Sequence, residues 1–325
     1  MQQFWTAVLR ILLSGLALAL VSPVLAQQYP AKPVRIVTPY APGGSTDILA
    51  RLIAVKLTDI WRQQVFVENR PGGNTIIGSE HVARSAPDGY TFMLQTSGHV
   101  INPSLLKTPY DAIKDFTGVA TVAAGEFILV VHPSVPANTV QEFIALAQSK
   151  PGQINYATSG AGSSTHLASE HFNIAANVKM THIPYKGGGP ALNDLLGGQV
   201  QVSLNVPLAF IQHVKAGKLR ALAITGDSRV SSLPQVPTFA EAGLPSYDAR
   251  NWYGIFAPAG LPRPIVDRWS AEMTRILSMT DIKENLIAQG MDPFIQTPDQ
   301  FAALMKSELV KYARIVKLAN LKLDN

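Results

Sequence analysis

The sequence predicts an α/β protein of two domains built on mostly parallel sheets. Three observations carry this. Short continuous apolar runs alternate with longer stretches whose apolar residues recur at helical spacing. A strand, glycine turn and helix succession occurs near residue 39 and again near residue 159. The length of 325 residues also exceeds what one small core organises. With 47% hydrophobic residues, 15% charged residues and no repetitive tract, the disordered and fibrous classes are excluded.

Val34 to Thr38 reads as a buried parallel strand because it is apolar without alternation. Ile48, Leu49, Leu52, Ile53 and Leu57 then mark a helix. Val65 to Val67 is the next strand, and Thr75 to Ala86 the next helix. Strands follow at Tyr90 to Gln95 and Phe127 to Val131, then a helix whose capping box pairs Thr139 with Glu142. The strand Ile154 to Thr158 leads to a helix from about Leu167. Further strands are expected at Met180 to Ile183, Val200 to Asn205, Leu219 to Thr225 and Trp252 to Ala257. Capping boxes at Thr238/Glu241 and Thr297/Gln300 mark later helices, with Pro298 at the first helical position of the second.

Residues 1–26 carry the three parts of a secretory signal peptide. Arg10 precedes the apolar run Ile11 to Leu20, Pro23 breaks it, and Val24-Leu25-Ala26 offers small residues for cleavage. The run is shorter than the roughly 20 residues a bilayer needs, and no later segment is long enough. The mature chain is therefore expected to be an exported protein that is not membrane-embedded. Losing Arg10 leaves 26 basic against 22 acidic side chains. The absence of cysteine excludes disulfides, thiolate nucleophiles and Cys-held metal centres. Lys and Arg are dispersed, without the basic stripe of a nucleic-acid binder.

The chemistry sits in the glycine turns. In PYAPGGSTD, Gly43 and Gly44 bring backbone N–H groups to the start of a helix, a ready site for a carboxylate. For an isolated Pro-Gly-Gly, a tight turn with no ligand is the commoner explanation. Asp47 either caps that helix or accepts a bond from an ammonium or hydroxyl. SGAGSSTH, Ser159 to His166, supplies two glycines and four hydroxyls before another helix, and KGGGP adds three glycines before a third. Neither spacing matches a P-loop, a dinucleotide fingerprint or a nucleophile elbow. His166 and His171 stand about 140° apart around a helix and do not face one metal.

Seven strings occur in one order: PYAPGGSTD, NRPGGNTIIG, SGAGSSTH, IPYKGGGPALNDLLGGQV, GKLRALAIT, VPTFAEAGLP and GIFAPAGLP. Together they span nearly the whole mature chain, which strongly resembles the Bug family of periplasmic solute-binding proteins associated with tripartite tricarboxylate transporters. The resemblance implies a two-domain Venus-flytrap fold, type II-like, with a ligand cleft between the domains. It implies two crossings, placed near Val130 and Asn251. Residues 27–129 and 252–325 then form the first domain and residues 130–251 the second. It also implies a periplasmic, monomeric protein that binds a small organic carboxylate without cofactor, metal or catalysis and serves the membrane components of such a transporter.

In that family two facing loops hold one carboxylate of the ligand. The matching residues here are Tyr40, Pro42, Gly43, Gly44, Thr46 and Asp47 on the first domain. On the second they are Ser159, Gly160, Ser163, Ser164, Thr165 and His166. Thr96, Ser97, Tyr185 and Asn205 are expected at the variable end of the ligand. Relatives often carry Asp at the position of Asn205; a neutral Asn suits a hydroxyl, amide or carboxylate, or simply satisfies its own turn. Two other classes compete with binding and transport: a ligand-sensing adaptor to a membrane receptor, and a secreted hydrolase using Ser163 or Ser164 with His166.

Overall fold

In the computed structural model, which describes residues 29–318, the apolar run Val34–Thr38 is strand β1. The expected signal peptide lies outside the described residues. β2 (Val65–Asn69) and β3 (Thr91–Thr96) flank β1 in parallel register. Helices α1 (Ser45–Trp61) and α2 (Ile76–Ala83) make the crossovers that parallel pairing requires. After α3 (Gly98–Leu105) comes β4 (Phe116–Glu126), which passes through Phe127 into β5 (Ile128–Val131) of a second sheet.

That second sheet is built from α4 (Val140–Ser149), β6 (Asn155–Thr158), α5 (Ser164–Ala175), β7 (Thr181–Pro184), α6 (Gly188–Leu196), β8 (Val202–Asn205), α7 (Ile211–Lys215) and β9 (Arg220–Ile224). Its strand order is β7-β6-β8-β5-β9. The chain returns at β10 (Arg250–Pro258) and adds α8 (Arg263–Leu277), α9 (Thr280–Ala288), β11 (Met291–Pro293) and α10 (Pro298–Leu318). The first sheet then reads β11-β4-β10-β3-β1-β2. Each sheet with its helices makes one lobe of a mixed α/β fold.

The sheets are mixed rather than mostly parallel. β10 is antiparallel to both β3 and β4, and β5 is antiparallel to both β8 and β9. These are the strands through which the chain leaves and re-enters each lobe, so they run against the βαβ units they join. The capping box at Thr238/Glu241 also gives less than a helix. Both of its bonds form, at 3.1 and 2.8 Å, but the segment closes as a turn before Gly243 and Pro245. α5 begins at Ser164, one turn before the position its apolar spacing indicates.

Strand β5 shows why FILVV reads as one apolar block. Phe127, Leu129 and Val131 pack on one face with Phe143, Tyr156 and Phe172. Ile128 and Val130 pack on the other with Leu192, Leu195 and Phe210. Both faces are covered, so no polar alternation survives. In the first lobe, Phe301 of α10 is fully buried between Trp252 and Phe256, with ring centroids at 5.6 and 5.2 Å. Truncating such a ring costs about 3–5 kcal/mol. Among the described residues no helix is long and apolar enough to cross a membrane.

Candidate functional site

The lobes meet along their glycine turns. The Ala41 N–H donates to the Lys186 carbonyl at 2.7 Å, a backbone bond from one lobe to the other. A Cβ on Gly44 would stand 3.2 Å from the Gly188 nitrogen, and one on Gly189 only 2.1 Å from the Pro42 carbonyl oxygen. No side chain fits at Gly189 in this closed arrangement. Beneath these contacts lies a cavity of about 20 Å³, bounded by residues of both lobes.

Three helix starts reach this cavity. Gly44, Ser45 and Thr46 begin α1, Ser164 and Thr165 begin α5, and Gly188 begins α6. The first backbone bond within α1 runs from Ile48 N–H to the Gly44 carbonyl, and in α5 from Leu167 N–H to the Ser163 carbonyl. The N–H groups ahead of these have no partner within their helix, and each helix start carries about half a positive charge. Tyr40, Thr96, Ser159, Asn205, Asn251 and Tyr253 complete the lining, so no charged side chain faces the cavity. Asn205 is 3% exposed; its Oδ1 accepts the Val206 N–H at 3.0 Å, while its Nδ2 donor has no protein partner. Donors therefore converge on a small, buried, uncharged space, an arrangement that suits an anion.

The loop of the first lobe is held in shape by Asp47. Its carboxylate accepts Gly43 N–H at 3.1 Å, Arg51 Nε at 3.0 Å and Asn69 Nδ2 at 2.9 Å. Asn69 also donates to Thr38 Oγ1 and the Tyr40 carbonyl. Burial pushes the Asp47 carboxyl up, but these bonds outweigh it and hold its pKa below the usual aspartate value. Tyr40 is buried with its hydroxyl 3.1 Å from Thr96 Oγ1, and burial raises its pKa.

The facing loop uses neutral groups. Ser163 Oγ donates to the Gly160 carbonyl at 2.6 Å and accepts the His166 N–H at 3.2 Å, capping α5. His166 Nδ1 accepts the Gly162 N–H at 3.2 Å, and its ring stacks 4.0 Å from His182. Burial and the neighbouring His182 lower His166 to about 3.

Of the residues indicated by sequence, Tyr40, Gly44, Thr46, Thr96, Ser159, Ser164, Thr165 and Asn205 line the cavity. Pro42, Gly43, Asp47, Gly160, Ser163 and His166 stand one layer back and shape the two loops. Ser97 donates to Asn251 Oδ1 at 2.8 Å beside the cavity. Tyr185 turns away, its hydroxyl donating to Asp194 at 2.7 Å. Sequence reasoning missed Ser45, Gly188, Asn251 and Tyr253. Ser45 and Gly188 lie inside glycine strings already singled out. Asn251 and Tyr253 are alternate residues of one strand, polar positions on a single face of an otherwise apolar run. The Tyr253 hydroxyl donates to Ser45 Oγ at 2.7 Å.

The family described as "Tripartite tricarboxylate transporter family receptor" matches residues 49–321. Protein BugT of Bordetella pertussis is 36% identical over 308 residues, 93% of this chain and 94% of that protein. Among solved structures, the periplasmic binding protein BugD superposes with a TM-score of 0.87 at 32% identity, covering 90% of this chain and 99% of that one. MatC from Rhodopseudomonas palustris, solved with bound malate, gives a TM-score of 0.84 at 32% identity over 89% of this chain and 100% of its own. An R. palustris protein solved with adipate gives a TM-score of 0.87 at 33% identity over 90% and 99%. With a two-lobed fold, facing glycine turns and matches along nearly its whole length, this chain belongs to the tripartite tricarboxylate transporter receptor family of periplasmic solute-binding proteins.

Proposed function

We propose that this protein captures a small carboxylate between its lobes and delivers it to the membrane components of a tripartite tricarboxylate transporter. The observation that carries the reading is the convergence of three helix starts on a cavity with no charged side chain. An anion there is stabilised by fixed N–H dipoles, and closure of the lobes strengthens each contact by excluding water. A ligand bound to both lobes favours the closed arrangement by its extra affinity for it. Malate and adipate, named with two of the similar structures, are both carboxylates.

The moving bodies in this reading are residues 29–126 with 250–318, and residues 128–249, two to three residues from the boundaries expected at 129/130 and 251/252 because β5 begins at Ile128 and β10 at Arg250. The hinge lies at the β4–β5 and β9–β10 passages. Residues 1–26 act as the cleaved export signal to the periplasm, where the mature chain works as a monomer without cofactor. The hydrolase alternative is disfavoured because Ser163 Oγ serves as a helix cap and His166 Nδ1 is engaged by the Gly162 N–H. The reading treats the protein as a binder with no turnover.

Thermal denaturation of residues 27–325 against a panel of carboxylates and their amides tests it. A carboxylate at 100 times its dissociation constant adds about 2.7 kcal/mol to native stability. Stabilisation by at least one carboxylate and not by its amide is the expected outcome. Equal stabilisation by both overturns the anion site.

A further inference from the structure

In the closed arrangement the polar cavity holds little more than a carboxylate group, so the rest of a bound ligand lies beyond it. A chamber of about 410 Å³ adjoins the cavity, within the range of small-molecule sites. Ser164 and Asn251 line both spaces, and Ser97, which lines the chamber, donates to Asn251 Oδ1 at 2.8 Å. Ile101, Trp252, Leu304 and Ile315 form the wall on the first lobe, and Leu167 and Ala168 form it on the second. The chamber therefore has apolar walls on both lobes, with charged and polar groups in the rest of its lining, and it adjoins the anion site through Ser164 and Asn251.

Its lining carries two cations, Arg250 and Lys311, and two carboxylates, Asp248 and Glu308, and both cations already have carboxylate partners. Lys311 pairs with Glu308 at 3.0 Å, and Arg250 pairs with Glu126 at 3.3 Å and Asp292 at 3.5 Å. A second carboxylate entering here would share cations already held by Glu308, Glu126 and Asp292 and would face the like charges of Asp248 and Glu308. An apolar group entering would only lose water.

We infer that the ligand of this chain is a monocarboxylate with an apolar aromatic or branched aliphatic body, its carboxylate at the helix starts and its body in the adjoining chamber. This rests on the carboxylate reading above and sharpens it. It separates this chain from relatives whose ligands carry an anionic group at both ends.

Calorimetry on residues 27–325 with 3-phenylpropanoate, 3-phenylpropanamide, succinate and acetate tests the inference. Phenylpropanoate is expected to bind at least roughly tenfold more tightly than succinate, and the amide not measurably, since a filled apolar pocket discriminates on that scale. Ala168→Leu, which narrows the chamber, is expected to weaken phenylpropanoate roughly tenfold and to change acetate by less than about twofold. A measurement on the unaltered chamber complements it. Phenylpropanoate, and not acetate, is expected to change the tryptophan fluorescence, and Trp252→Phe to abolish that change. The other described tryptophans, Trp61 and Trp269, pack against each other at 5.0 Å elsewhere. Succinate binding as tightly as phenylpropanoate, or a fluorescence response unaffected by Trp252→Phe, overturns the inference and leaves the carboxylate site standing. No binding of phenylpropanoate, succinate or acetate overturns both.

Discussion

The two loops that face each other across the cavity solve one problem by different chemistry. Each follows a buried strand, turns on glycines and opens a helix, so each presents N–H groups to the same space. The loop of the first lobe is tied down by an ionised carboxylate, Asp47, bonded to Gly43, Arg51 and Asn69. The loop of the second lobe is tied down by a hydroxyl and an uncharged imidazole, Ser163 and His166. The Asp47 charge is neutralised inside its own loop and does not repel an anion in the cavity. The neutrality of His166 costs stability as pH falls below its ordinary value of 6.5, a range in which Asp47 is ionised whether folded or unfolded. One lobe is thus built on a charge and the other on the absence of one.

The largest break in this symmetry is at the contact where the loops touch. Gly189→Ala places a Cβ against the Pro42 carbonyl and blocks closure. Ligand affinity is expected to fall roughly 100-fold, at the upper end of ordinary coupling between lobe closure and binding. Melting of the unliganded protein is expected to change little. Calorimetry and thermal denaturation on the same sample separate the two.

Asp47→Ala acts on one loop alone. It takes the acceptor from the Gly43 N–H and from Arg51 Nε, and one of three acceptors from Asn69 Nδ2, at a cost of about 1–3 kcal/mol. Chemical denaturation should show that loss together with a lower affinity, whereas Ser163→Ala should cost only about 1 kcal/mol as a lost helix cap.

The pH response divides the two loops next, while His99 adds the same acid sensitivity elsewhere in the first lobe. His166 is held at about 3 by burial and His182, and burial lowers His182 to about 4. In the first lobe burial lowers His99 to about 4, and its Nε2 bonds the Ala112 carbonyl at 2.9 Å. Unfolded, each histidine titrates near its ordinary value of 6.5. Below that pH the unfolded chain binds more protons than the folded one, so stability falls as pH drops from about 6.5 toward 4. The slope is on the order of 1 kcal/mol per pH unit for each fully buried histidine. Asp47, with its lowered pKa, contributes stability above the usual aspartate range and loses it only at lower pH. Urea midpoints between pH 7 and 5 should drop, and His166→Gln should flatten that drop.

What the sequence made legible follows from how local each cause is. PYAPGGSTD and SGAGSSTH could be read as helix-start loops because the glycines, the hydroxyls and the following apolar period are contiguous. FILVV was legible because burial on both faces leaves a run without alternation. Strand β4 was not, because Gly118 and Gly125 interrupt FTGVATVAAGE. The glycine at 118 is explained by Phe301, whose ring a Cβ there would meet at 2.9 Å. α3 was hidden by Pro103 within its eight residues. Asn251 and Tyr253 could not be assigned to the site, because only the pairing of β10 with β3 brings them beside Thr96. Asp47 left two readings in sequence, and the structure has it accept the Gly43 N–H, Arg51 Nε and, 22 residues on, Asn69 Nδ2, an anchor of the loop that no local pattern marks.

The most direct test of the central claim is the backbone amide spectrum of the mature chain, titrated with a binding carboxylate and with its amide. The account predicts that Ser45, Thr46, Ser164 and Thr165 N–H resonances move downfield together with the carboxylate and stay in place with the amide. Ligand-induced shifts that bypass these four groups, or that the amide reproduces, would contradict it.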